Sequence, residues 1–75
     1  MKNQIKVLIE ITQDVYWEDW GTDKLVFRKG WTGQAIAHYE DGCFAGVSGE
    51  SPLYKGVRDS IWKNHYKIIE ILDGD

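Results

Sequence analysis

The stretch Ile5-Lys6-Val7-Leu8-Ile9-Glu10-Ile11-Thr12 decides the fold class. Ile5, Val7, Ile9 and Ile11 recur with a period of two, and Lys6, Glu10 and Thr12 fall between them. Successive strand side chains point to opposite faces, so β-branched residues at this spacing predict a strand with one apolar face. Leu8 breaks the polar face, which implies that a second layer or a curled sheet covers part of it.

After this strand the alternation stops. Residues 13–23, QDVYWEDWGTD, carry four acids (Asp14, Glu18, Asp19, Asp23), no base and three large aromatics. Eleven residues is long for a loop in a small domain, and long loops of this composition are more often functional than connective. The alternative is a bent hairpin with its tip near residues 19–21. Leu25, Val26 and Phe27 read as a short strand, ended by Arg28-Lys29-Gly30, and Gly30 and Gly33 bracket a turn at Trp31-Thr32. Residues 34–40 are extended, Asp41-Gly42 is a hairpin signal, and residues 43–47 form the partner strand. The small Ala45 and Gly46 suggest close packing or a bulge there.

Residues 48–59, with the only proline (Pro52), read as a second loop. Asp59-Ser60 is placed to cap one short helical, 3-10-like turn through Trp62, Lys63 and Asn64. Residues 67–72 form the last strand, and residues 73–75 a polar end. The pattern predicts an all-β chain of five short strands. Closing them into a small barrel protects the edges that an open sheet exposes.

Size and charge narrow the function. Seventy-five residues make one domain, spanning residues 1–75, with no room for a second core. A net charge of −3 and a pI near 5.2 remove the electrostatic basis for binding duplex nucleic acid or an anionic membrane. No apolar run approaches the roughly 18 residues of a membrane span. The first residues lead straight into a strand pattern, without a signal-peptide core. One cysteine, Cys43, forms no internal disulfide, so a reducing cytoplasm is expected.

The order of elements resembles the SH3-like barrel superfamily from Ile5 to Leu72. Val15-Tyr16-Trp17-Glu18-Asp19-Trp20 sits where an SH3 domain has its aromatic, acidic RT loop. Asp23-Lys24-Leu25-Val26-Phe27-Arg28-Lys29-Gly30 looks like the D-E-L-x-F-x-K-G segment after it. Ser60-Ile61-Trp62-Lys63-Asn64-His65-Tyr66 resembles the helical turn before the final strand, with Tyr66 at the tyrosine of its P-x-x-Y pattern. The proline of that pattern is missing, and no tandem Trp occurs in residues 39–44. Lys29-Gly30-Trp31-Thr32-Gly33 also fits the K-G-x-x-G turn of KOW-type barrels. Because this superfamily holds peptide binders, RNA binders and enzyme-subunit pieces, the resemblance implies a fold more than a function.

Tyr16, Trp17 and Trp20 beside Glu18, Asp19 and Asp23 suit a proline-rich or arginine-containing peptide: rings stack on the ligand and acids pair its guanidinium. Against this, Trp17 or Trp20 folding back would cap the barrel end. Four Trp, four Tyr and two Phe do not all fit one small core, so at least one ring of the set is exposed. Trp31, in a glycine turn, is expected on a neighbouring surface or a partner. The SH3 layout brings the early loop beside the late turn, so Tyr16, Trp17, Trp20, Trp62 and Tyr66 are expected to share one patch.

The other constellations are blander. Asp14, Glu18, Asp19 and Asp23 lack the spacing of an EF-hand loop and read as a solvated acidic loop. Three scattered His and Cys residues do not supply the four ligands of structural zinc. No metal or cofactor is expected. His38 and Cys43 are near neighbours by hairpin pairing but have no orienting acid, so Cys43 is expected as a small buried hydrophobe and no enzyme is expected. Lys55, Arg58, Lys63 and Lys67 with Tyr54 and Tyr66 would stack single-stranded bases if clustered, but Asp59 and Glu70 intersperse them. The resulting expectation is a cytoplasmic, non-catalytic module of bacterial, phage or plasmid origin that binds a protein or peptide, with Tyr16, Trp17, Glu18, Asp19, Trp20, Trp31, Trp62 and Tyr66 at the contact. The alternatives are a KOW-like nucleic-acid-binding barrel and a homo-oligomeric accessory protein.

Overall fold

Val7, Ile9 and Ile11 are buried along one face of the first strand, as their period-two spacing requires. The computed structural model describes residues 3–72, and among them the chain is all-β. Seven strands follow one another: β1 (Gln4–Ile11), β2 (Val15–Asp19), β3 (Thr22–Phe27), β4 (Thr32–Glu40), β5 (Cys43–Glu50), β6 (Arg58–Ile61) and β7 (Tyr66–Ile71). Five of them make an antiparallel sheet in the order β6-β5-β4-β1-β7, while β2 and β3 pair as a separate hairpin.

The register explains why a second layer fits on this sheet. Ile5, Val7 and Ile9 of β1 stand opposite Ala37, Ala35 and Gly33 of β4. A row of small residues therefore runs beside a row of branched ones, and Gly49 of β5 continues it. A methyl group on Gly49 would touch Ala35 Cβ at 3.6 Å and Phe27 Cζ at 3.8 Å. Phe27, at the end of β3, is fully buried over this trough. Its ring meets Trp17 edge-on at 5.7 Å and Trp31 at 5.2 Å with a 55° tilt. The Trp31 ring fills the space where any side chain at Gly33 would stand. Val15, Val26, Val47 and Ile61 complete the core.

Backbone bonds pin the layers at their ends. Gly30 N–H donates to Ile11 O (2.7 Å) and Ile11 N–H to Trp31 O (2.8 Å), so the turn at 28–31 is clamped to the end of β1. Thr12 N–H donates to His65 O at 2.8 Å, and Lys29 N–H to the Asp14 carboxylate at 2.7 Å. The buried Ser51 ties the segment after β5 to the hairpin. Its hydroxyl donates to Val26 O (2.6 Å) and accepts from the Leu53 and Tyr54 amides (3.1 and 3.3 Å).

Several sequence expectations change. Among the described residues there are seven strands, not five. Residues 15–19 form a strand, so the long loop is the bent hairpin held as its alternative, turning at Trp20-Gly21. Residues 58–61 form edge strand β6 rather than loop and helix cap, and Ser60 lies inside it. A four-residue strand reading Arg-Asp-Ser-Ile carries no alternation that marks it in sequence. The expected 3-10-like turn is one tight turn, closed by His65 N–H to Trp62 O (3.2 Å) with Asn64 at φ 70. No helix occurs among the described residues. β6 and β7 are the two edges of the sheet, with no ladder between them, so hydrogen bonding does not close it. Register shifts in the β1–β7, β2–β3 and β4–β5 pairs mark bulges, the last at Ala45-Gly46, and such bulges deepen twist.

Removing the Ser51 hydroxyl tests the tie between layers. Ser51→Ala strands a buried carbonyl and frees two loop amides, and is expected to cost about 1–3 kcal/mol. At this chain length that lowers Tm by at least about 4 °C in a thermal melt.

Candidate binding surface at the acidic hairpin

Alternation along β2 sorts its side chains. Tyr16 and Glu18 stand opposite Leu25 and Asp23, while Trp17 on the other face stands opposite Lys24. Trp17 therefore turns toward the sheet. Besides packing on Phe27, its indole N–H donates to Ser60 O on edge strand β6 at 3.0 Å. One ring thus fixes the hairpin to the core and to the sheet edge.

Between this hairpin and residues 51–59 lies a cleft of about 230 Å³. Trp17, Val26, Tyr54 and Val57 give it apolar walls, and Glu18, Lys24, Arg58 and Asp59 a rim of both charges. The Lys24 ammonium stands 5.5 Å from the centre of the Tyr54 ring, within cation–π reach. The far wall is well held. Ser51 N–H donates to Val57 O (2.8 Å), Val57 N–H to Tyr54 O (3.1 Å), and Gly56 N–H to the Glu50 carboxylate (3.2 Å).

The eight residues singled out from sequence do not form one patch. Trp17 lines the cleft and Glu18 stands at its rim; Tyr16, on the face of β2 away from Trp17, is 39% exposed. Asp19 ends β2, and Trp20 stands at the hairpin tip, 98% exposed. Trp31 is half-buried on Phe27 and over Gly33, so the glycine turn folds it onto the core. Trp62 packs edge-on against His65 at 5.1 Å within the turn before β7. Tyr66 lines a second depression of about 280 Å³ with Phe44, Val47, Ser60 and Ile61. Burial there pushes its phenol above the ordinary tyrosine value.

Tyr54, Val57, Arg58 and Asp59 supply half the cleft; sequence reading placed Tyr54 and Arg58 only in a conditional base-stacking face, Asp59 only as a cap, and gave Val57 no role. Their only signal was a pair of apolar residues in a segment otherwise read as loop. The Cys43–His38 pair is not assembled either. Cys43 is exposed opposite Glu40, contrary to its expected burial, and His38 Nε2 is 2.6 Å from Ser48 Oγ. Among the described residues, no group of three or more His, Cys, Asp or Glu side chains converges as metal ligands would.

No protein-family model, curated protein or solved structure matches the chain.

The double role of Trp17 separates two energies. Trp17→Phe keeps a ring on Phe27 but loses the bond to Ser60 O, at about 1 kcal/mol. Trp17→Ala also opens a void, and is expected to cost about 2–4 kcal/mol, less than a fully buried tryptophan because the ring is half-exposed. Urea denaturation of the two variants checks both values.

Proposed function

We propose that this chain is a non-catalytic protein- or peptide-binding module of SH3-like layout, cytoplasmic, with the acidic aromatic hairpin as its contact surface. The strand order supports the layout: a hairpin inserted after β1, a glycine turn, the meander β4-β5-β6, then a tight turn and a last strand beside β1. The free thiol of Cys43 supports a reducing compartment.

The observation that carries the reading is the cleft beside the hairpin. Sites for small molecules run to roughly 300–1,000 Å³. A cleft of about 230 Å³ is smaller, with two aromatic walls and an open charged rim. It fits one or two side chains of a longer chain, whose remaining residues lie along the hairpin. Glu18 and Asp59 at the rim favour a basic residue next to an apolar one. Self-association has one observation in its favour: Ile68, Ile69 and Ile71 are 40–60% exposed on edge strand β7.

Selection from a displayed peptide library is expected to enrich sequences pairing an aliphatic or aromatic residue with Arg or Lys. Tyr54→Ala should weaken the selected peptides about tenfold or more, in line with loss of an aromatic contact. Their affinity should fall only a few-fold between 50 and 200 mM salt, whereas nucleic acid held by 6–10 phosphate contacts would lose about 10³–10⁵. Failure to enrich any peptide sinks the proposal. Light scattering that reports a dimer abolished by Ile69→Lys moves the assignment to self-association.

A further inference from the structure

Of the two sheet edges, β7 is the apolar one: Tyr66-Lys67-Ile68-Ile69-Glu70-Ile71, exposed at every position after Tyr66. A bulge decides which of these side chains share a face. Leu8 stands opposite Glu70 and Ile9 opposite Ile68, so Ile69 is the extra residue. In a regular strand Lys67 and Glu70, three positions apart, would point to opposite faces. Here they stand opposite Glu10 and Leu8, two positions apart on β1, so both charges lie on the outer face of the sheet. Tyr66 and Ile71, opposite Ile11 and Val7, lie on the core face.

The backbone is fixed at both ends of the strand. Thr12 N–H donates to His65 O (2.8 Å) and Leu72 N–H to Lys6 O (2.9 Å), so residues 65 and 72 turn toward β1. Alternation then turns the N–H and C=O of Tyr66 and Ile71 outward, where no strand among the described residues meets them.

This edge is complementary to itself. Two copies of β7, placed antiparallel about a two-fold axis between Ile68 and Ile69, set Lys67 of each against Glu70 of the other. Tyr66 then faces Ile71 of the second copy, with outward backbone groups on both, and bulge meets bulge. A register shifted by one residue either way sets both charges against apolar side chains. A parallel pair in register sets lysine on lysine and glutamate on glutamate. Glu70 has no ion-pair partner among the described residues, whereas Lys67 has Glu10.

We propose that β7 is the interface of a homodimer, a two-fold antiparallel pair that joins two five-stranded sheets edge to edge. The bulge and the charges turn away a strand that lacks them. A second copy brings a matching kink and the opposite charge at each position, which is the self-complementarity a two-fold contact requires. At the other edge Trp17 and its hairpin cover part of β6, so assembly ends at two copies. The hairpin cleft adjoins β6 and stays open in the dimer. The proposal therefore goes beyond the peptide reading and does not replace it: the assignment moves to self-association only where a dimer forms and no peptide is enriched.

Charge exchange tests the register. One strand pair is a small interface, so light scattering of the wild type is expected to show a monomer–dimer equilibrium with Kd of about 10–100 µM. Lys67→Glu and Glu70→Lys each set two like-charge pairs across the axis and should weaken the dimer about tenfold or more. An equimolar mixture of the two variants should dimerise about as well as wild type, and so should the double variant Lys67→Glu/Glu70→Lys alone, because each arrangement restores both opposite-charge pairs. Hydrogen exchange needs no substitution: in the wild type the outward amides of Tyr66 and Ile71 should slow as concentration rises through Kd. A wild type that stays monomeric, assemblies larger than two, or single variants that dimerise like wild type overturn the proposal. So does failure of both the mixture and the double variant to restore the dimer, or unchanged exchange at Tyr66 and Ile71 in a dimeric sample.

Discussion

The contact on which the rest of the structure depends is Phe27 seated over the small residues of the sheet. Ala35 and Gly49 leave a trough that one phenyl ring fills, and Trp17 and Trp31 close over that ring from two sides. A single flat sheet in a chain of 75 residues has too little apolar face to be stable alone, so the second layer is obligatory. That layer is only a two-stranded hairpin, itself marginal in water. Phe27 joins two pieces neither of which stands by itself. The hairpin's outer parts, its cleft and its tip, depend on this joint.

How much of this was legible in the sequence follows from which signals are local. The period of two in residues 5–11 and the Asp41-Gly42 turn are local, and both elements are where they were expected. Strand β6 is not local: Arg58-Asp59-Ser60-Ile61 becomes a strand because Val47 to Glu50 offer it a partner. The same holds for the trough. Gly33, Ala35 and Gly49 read as turn or filler residues until the register sets them under aromatic rings. For the candidate site, the acidic aromatic segment was legible by composition. Its division into an inward face (Trp17) and an outward one (Tyr16, Glu18) required knowing that it is a paired hairpin. The place of Tyr54 and Val57 in the cleft was not legible because the segment holding them has no period, and Ser51 rather than a ladder orders it. Trp31 was left between two readings for a related reason: a ring at a turn tip lies on a neighbouring surface or meets a partner, and clamping of Gly30 and Trp31 to Ile11 lays this one on the core.

The two edges of the sheet meet different fates. At β6 the indole of Trp17 takes the Ser60 carbonyl, so the hairpin covers part of that edge. At β7 no second element among the described residues lies outside the strand; the bulge near Ile68 and Ile69 and the Lys67–Glu10 ion pair, 3.4 Å long, interrupt it. Bulges and charged side chains on an edge oppose strand addition by twisting it and by requiring desolvation. The strand pattern in the sequence pointed to closure as the answer to exposed edges. The chain answers differently at each edge.

Rigidity at the base of the hairpin bears on what its tip can do. A side chain on a flexible loop must be ordered when it binds, at a cost of about 0.5–1.5 kcal/mol for the side chain alone and more for each loop residue. Here Phe27 anchors the end of β3, Trp17 anchors the middle of β2, and the 22–25 ladder carries that order outward to Trp20-Gly21. Gly21 and the left-handed φ of Trp20 fix the turn in one geometry rather than several. The tip is therefore held in the free protein, and the ordering cost has been met during folding by burial of Phe27. The core contact therefore reaches beyond the core: burial of Phe27 and Trp17 stiffens the hairpin, and that stiffness extends to the exposed ring of Trp20 at its tip.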